Sequence, residues 1–192
     1  MELTTYVYEE GGPHNTEMTL EIAVRRAQAL GIRQMVVASS HGGTARQLHA
    51  LATPLGIRVM AVTISHVWED KGWCMDEATA ADLRALGIPV ITGIHALGDG
   101  VGSAFTRAHG GRVPEEIVRE TLYRFCQGMK VAVECAMMAA DAGALDLREE
   151  AVAIAGSGDG ADTAIVCQPA CAQDFYRFEI REILAKPRRA QG

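Results

Sequence analysis

The sequence predicts an α/β fold: a mostly parallel sheet with helices packed on both faces, three layers in all. Three observations predict it. The phrase Leu-Gly-Ile occurs at 30–32, 55–57 and 86–88, each time closing a helical pattern and opening an apolar run. Glycine just past a helix end adopts the left-handed conformation without a Cβ clash, and the next apolar residue packs back on the last turn. The runs that follow, at 35–38, 59–62 and 90–91, are nearly continuous in apolar character. Strands buried on both faces of a parallel sheet read in this way, whereas half-exposed strands alternate. Helix-start signals lie between the runs, giving the strand–helix–strand rhythm of right-handed crossovers.

The elements follow in order. Asn15 precedes Thr16-Glu17, an N-cap with an acid in the first turn, and Leu20, Val24 and Ala27 fall on one face. After the strand at 35–38, a turn at 39–44 leads into a helix over 45–55 and the strand at 59–62. Asp76 precedes Glu77, with Ala80, Leu83 and Leu86 at helical spacing before the strand at 90–91. Pro114 suits the first turn of a helix running through Ile117, Leu122, Phe125 and Cys126 towards Gly128. A helix over about 129–142 is apolar on almost every side except at Lys130, Glu134 and Asp141, so it is expected to be buried. Strands are expected at 151–155, 163–167 and 180–185. No Pro- or Gly-rich linker divides the chain, and residues 1–192 read as one domain.

Composition bounds the function. With 192 residues, 48% of them hydrophobic and 22% charged, the chain can bury a core without disulfides or metal staples. Eighteen Lys plus Arg against 24 Asp plus Glu leave a net charge of −6, which argues against nucleic acid as a partner. The one basic cluster, Lys186-Pro187-Arg188-Arg189, reads as a solvated tail. No stretch approaches the roughly 20 apolar residues needed to span a bilayer, so no membrane partner is expected. The start, MELTTYVYEE, lacks the basic and apolar regions of a signal peptide, and a cytoplasmic location is expected. Five cysteines without a CxxC pair describe neither a disulfide framework nor a zinc ribbon; Cys126 and Cys135 read as small core hydrophobes. The six histidines include no HExxH pair, and no metal site is expected.

Chemistry is expected beyond the carboxyl ends of the strands, where loops and helix starts converge. There stands Ser39-Ser40-His41-Gly42-Gly43-Thr44, a turn of small and hydroxyl residues that leaves backbone N–H groups free for a phosphate. It lacks the GxxxxGK[ST] pattern of a nucleotide-hydrolysing loop, and its bland reading is an ordinary capped turn. A second glycine cluster runs from Gly156 through Asp162 and Thr163 and formally satisfies G-x-G-x-x-G/A. A strand follows it where a dinucleotide fold needs a helix, so it reads as a ligand loop or a plain turn. The loop at 65–75 carries His66 and both tryptophans, Trp68 and Trp73, which either cover an aromatic ligand, pack on a neighbouring subunit or anchor the loop. His95 ends the next strand. Glu134 either pairs with Lys130 one turn away or faces a ligand, with Asp141 seven residues on.

The residues 36–46, Val-Val-Ala-Ser-Ser-His-Gly-Gly-Thr-Ala-Arg, followed by Val59-Met60-Ala61-Val62-Thr63, resemble the C-terminal α/β domain of pyruvate kinase. The chain is similar, over roughly residues 6–187, to small stand-alone proteins of archaea and bacteria described as pyruvate-kinase C-terminal-domain-like. The shared features are Asn15-Thr16-Glu17, the Val-Val-Ala-Ser-Ser turn, Val133-Glu134 with Ala139-Ala140-Asp141, and Gly160-Ala161-Asp162-Thr163-Ala164. The resemblance implies an open parallel-dominated sheet with an antiparallel C-terminal edge, and a bound flavin mononucleotide (FMN) with no settled reaction. It matches Ser39, Ser40, Gly42, Gly43 and Thr44 to the phosphate turn and Thr63, Glu134, Asp162 and Thr163 to the pocket lining, and His41 and Gly156, which stand in the two glycine loops, are expected to join them in binding the cofactor. His41 and Gly43 depart from the hydroxyl and basic residues of the kinase loop, which sets fructose bisphosphate apart. Pyruvate kinase activity is excluded by size, since its catalytic barrel alone takes roughly 250 residues. Two functions are therefore expected in competition: an FMN-binding protein, or a non-catalytic regulatory module for a small phosphorylated metabolite. A hydrolase using Ser39 or Ser40 with His41 is a weaker third, and homo-oligomerisation stays open.

Overall fold

A computed structural model describes residues 2–189. Seven strands form one sheet: β1 (Tyr6–Tyr8), β2 (Gln34–Ala38), β3 (Arg58–Thr63), β4 (Val90–Thr92), β5 (Ala151–Ala155), β6 (Thr163–Gln168) and β7 (Glu179–Pro187). Their order is β1-β7-β6-β5-β2-β3-β4, and β6 alone runs against its neighbours. The antiparallel pairing thus falls among the C-terminal strands, as expected, with β1 added in parallel outside β7. The remaining pairs, β2 with β3 and β5, and β3 with β4, are parallel.

Six helices cover the sheet: α1 (Thr16–Leu30), α2 (Gly43–Ala52), α3 (Glu77–Ala85), α4 (Val101–His109), α5 (Pro114–Tyr123) and α6 (Gln127–Asp141). Strand alternation divides the core in two. Met35 and Val37 of β2 join Leu20, Leu48 and Leu83 beneath α1, α2 and α3. Val36 and Met60 join Met129, Val133 and Met137 beneath α6 on the opposite face. β5, fully buried at every residue, lies at the centre of this three-layer arrangement.

The Leu-Gly-Ile phrases act as read. Gly31, Gly56 and Gly87 take φ of 71°, 70° and 82°, and the amides of Ile32, Ile57 and Ile88 donate back to Ala27, Ala52 and Leu83. This closes the last helical turn and drops each isoleucine into the core at the start of its strand. α6 buries nearly its whole circumference, as its sequence indicated.

Three expectations need correction. Asn15 stands just before α1, but it lies in a 3-10 turn (Pro13–Asn15) with helical backbone angles and does not cap the helix. Its side-chain amide instead donates to the Glu10 and Gly12 carbonyls, at 2.9 and 3.4 Å. The helix from Pro114 stops at Tyr123, and α6 begins afresh at Gln127 after an extended Cys126. Gly128 then lies in the first turn of α6 against Thr163, where any Cβ would collide. Lys186 and Pro187 belong to β7 and pair with β1, so the basic cluster is half strand. Finally, β1 and α4 carry no signal strong enough to have been read beforehand.

Candidate functional site

Every strand except β6 points the same way, so the loops after β1 to β5 share one rim of the sheet. The starts of α1, α2 and α3, which follow those strands, converge there. The start of α6 joins them, since Gly128 abuts Thr163 and Asp162 at the head of β6.

The 39–44 turn leaves β2 at the middle of this rim. Gly42 has φ 79°, and a Cβ on it would come within 2.7 Å of Thr79 Cγ2 on α3, so only glycine fits. That left-handed residue swings the chain directly into α2. No side-chain cap seals the helix; only a long contact joins the Ala45 amide to Ser39 Oγ at 3.4 Å. The amides of Gly43 and Thr44 have no acceptor among the described residues. A Cβ on Gly43 would meet nothing within 4 Å, so open space lies in front of them.

Thr63 supplies the floor. The register Ala38↔Val62 carries on to set Ser39 beside Thr63, and the Ser39 amide donates to the Val62 carbonyl at 2.9 Å. Both side chains point to the α2 face by alternation. Thr63 is 4% exposed and its hydroxyl has no partner among the described residues. Buried hydroxyls are normally paired, so the Thr63 hydroxyl is an exception at a strand's carboxyl end.

Ser40 is half-buried and His41 exposed. No hydrogen bond joins His41 to Ser39 or Ser40 among the described residues, so the geometry lends no support to a serine–histidine hydrolase.

Gly156, Asp162 and Thr163 form a different kind of structure, a closed knot. The Asp162 carboxylate is fully buried and accepts from the amides of Gly12 and Ser157, at 2.9 and 3.0 Å, and from the Thr163 hydroxyl at 2.8 Å. Thr16 Oγ1 takes the Ala161 amide at 2.9 Å and donates to the Pro13 carbonyl at 2.7 Å. A Cβ on Gly156 would meet the Gly160 carbonyl at 2.5 Å. These residues therefore bind the loop after β5 to the loop before α1. Burial raises the pKa of the Cys126 thiol beside Thr163, so it stays protonated.

Glu134 lies on the other sheet face, 1% exposed in α6. Lys130 pairs with one of its oxygens, and the Leu97 amide donates to the other at 2.9 Å. Of its two readings, the geometry carries the internal ion pair, which also pins the loop after β4. The neighbouring Cys135 is pushed up to about 12, by burial first and by the Glu134 carboxylate second. Asp141 accepts from the Ala172 amide at 3.1 Å and fastens the chain after β6.

The tryptophan loop closes on its neighbour. It folds as a 3-10 turn (His66–Lys71), and the Trp68 and Trp73 rings stack with centroids 5.4 Å apart. Trp68 Nε1 donates to Asp99 Oδ2 at 2.9 Å, and His95 Nδ1 lies 2.9 Å from the same oxygen. A hydrogen on His95 Nδ1 would point at this carboxylate oxygen. Sequence reasoning singled out Trp68, Trp73 and His95 but missed Asp99, which joins them. The signal available was its i+4 spacing from His95.

Two surface cavities lie away from the turn. One of about 550 Å³ is flanked by Thr5, Arg25, Arg26 and Glu182, and one of about 360 Å³ lies along α5. Among the described residues no helix is long and apolar enough to cross a membrane. No family model matches the chain.

Proposed function

We propose that this chain binds a phosphorylated small molecule, with its phosphate on the 39–44 turn at the start of α2. The observation that carries the reading is the pairing of bare Gly43 and Thr44 amides with the buried, unpartnered Thr63 hydroxyl. Helix-end amides and the helix dipole stabilise a dianion without any lysine, which suits a chain of net charge −6. FMN is the ligand that the resemblance to pyruvate-kinase C-terminal-like proteins suggests. The open turn offers a seat for the phosphate end, and the stacked tryptophans, Trp73 being 47% exposed, offer an aromatic surface on the next loop along the same rim.

The competing reading, a phosphorylated-metabolite module without chemistry, draws on a separate observation. Glu134 and Asp162, the carboxylates most suited to acid–base work or ribityl recognition, are already engaged inside the protein.

One variant separates binding from folding. Gly43→Asp places a carboxylate in the open space where the phosphate would sit, at the first position of α2. An acid there favours the helix by about 0.3–1 kcal/mol, so the melting temperature should hold or rise. FMN binding, read by quenching of flavin fluorescence, should be lost. Absence of FMN binding to the wild-type protein, with calorimetric binding of a sugar phosphate that Gly43→Asp abolishes, selects the module. Binding of either ligand unchanged in Gly43→Asp overturns the site.

A further inference from the structure

The tryptophan turn is joined to the rest of the fold by little. Within residues 65–75 the Trp68 amide donates to the Ser65 carbonyl, the Gly72 amide to the Glu69 carbonyl, and Cys74 Sγ to the Ser65 carbonyl. Among the described residues one hydrogen bond leaves the segment, from Trp68 Nε1 to Asp99 Oδ2 at 2.9 Å. Met75 packs against the core under α1 to α3, whereas Val67 and Trp73 are exposed. Both ends of the segment stand beside the 39–44 turn. Thr63 ends β3 just before it, and α3 starts just after it, with Thr79 against Gly42. A loop anchored at its ends and held between them by one bond has the build of a lid.

That bond is shared with a titratable group. His95 Nδ1 lies 2.9 Å from the same Asp99 oxygen, and the two side chains are 20% and 10% exposed. A carboxylate so far withdrawn from water is costly unless a positive group or hydrogen bonds offset it. The other charges near this loop are already engaged or face solvent. Arg119, against Gly98, pairs with Glu120, and Glu134, which holds the Leu97 amide, pairs with Lys130. His66, Glu69, Asp70 and Lys71 of the turn itself are exposed. Among the described residues, His95 is therefore the group that supplies Asp99 with a counter-charge and withdraws it as pH rises.

We infer that the tryptophan turn is a lid on the rim of the sheet, latched by Asp99, and that the charge of His95 sets the strength of the latch. A charged imidazole neutralises the carboxylate and keeps it in place for Trp68. A neutral one leaves the carboxylate its hydrogen bonds alone. The turn is thus held more firmly at pH 5 than at pH 8, the range over which an imidazole changes charge. The latch rests on the Trp68–Asp99–His95 cluster; only what the lid covers rests on the proposed phosphate seat.

Both tryptophans of the chain lie in this turn, so intrinsic fluorescence reports on it alone. Quenching by acrylamide, followed from pH 5 to 8 on the intact chain without ligand, tests the latch. Its slope should rise in one step with pH as the ratio of open to closed turn grows about fivefold, the scale of a partly exposed ion pair. His95→Gln keeps a donor beside Asp99 without the charge and should abolish the step. Asp99→Asn keeps an acceptor for Trp68 and should abolish it too, with circular dichroism confirming the fold of each. His66→Gln, a change at the exposed histidine of the turn itself, should retain the step. A flat wild-type profile, a step retained in both folded His95→Gln and Asp99→Asn, or a step lost in His66→Gln overturns the inference. Because acrylamide is the only probe, a failure of FMN to bind overturns the phosphate seat and leaves this result standing.

Discussion

Thr63 and Asp162 are both buried polar residues at strand ends, and they differ in who satisfies them. Asp162 has three donors from its own chain, so it serves architecture. Thr63 has none among the described residues, so its desolvated hydroxyl costs stability, and under the proposed function a ligand oxygen would relieve that cost. Thr63→Val should therefore leave the fold unharmed or stabilise it by about 1 kcal/mol, since a desolvated hydroxyl gives way to a methyl. The same change should weaken FMN binding about tenfold, the scale of one hydrogen bond to a phosphate. Calorimetric melting and a fluorescence titration measure both; a fall of several degrees in melting temperature would show that the hydroxyl has a partner inside the chain. The sequence singled out Thr63, Glu134 and Asp162 alike. It could not tell them apart, because the Leu97 amide facing Glu134 and the Gly12 amide facing Asp162 are 37 and 150 residues away.

At the scale of elements, ends matter more than middles. Asp76 caps α3 by accepting from the Thr79 amide and hydroxyl, both at 2.8 Å, and these bonds hold its carboxyl below the usual carboxylate range. A carboxyl whose pKa is lowered by folding contributes stability above its unfolded value, about 3.9, and loses it as pH falls through the folded value. The melting-temperature gap between wild type and Asp76→Ala should therefore be full at neutral pH and close progressively below about pH 4. A gap unchanged down to pH 2 would mean that the cap acts without its charge. This cap was legible because its whole geometry spans three residues, and so were the Leu-Gly-Ile turns, for the same reason. Asn15 misled because it lies in a 3-10 turn that Pro13 opens, and a single turn of backbone changes where its amide points. β1 escaped notice because three residues carry no period, and it is a strand only by virtue of β7, some 180 residues on. α4 escaped for a different reason: its apolar residues face solvent, so no core packing underlies its pattern. The 39–44 turn was visible as composition, whereas the need for glycine at 42, set by Thr79 on α3, was not.

Across the whole molecule, attachment falls away from the centre of the sheet towards α4. β5 and β2 are enclosed by α1 and α2 on one face and α6 on the other, with hydrogen bonds on both edges. Their amides can exchange only when the whole fold opens. α6 adds to this unit, because its Lys130–Glu134 pair is buried and separating it would strand a charge. The loops after β3 and β4 are held by fewer bonds than the knot after β5: Asp99 holds the tryptophan turn, and Glu134 holds the loop that leads to α4. α4 itself has no such fastening. Hydrogen exchange read by mass spectrometry should therefore show β2, β5 and β6 protected at least about a hundredfold more than α4 in dilute solution. If α4 is as slow as β5, it is fastened within its own chain. The 39–44 turn should follow a pattern of its own, exchanging fast in the free protein and slowed by FMN, because its bare amides are the proposed seat of the phosphate.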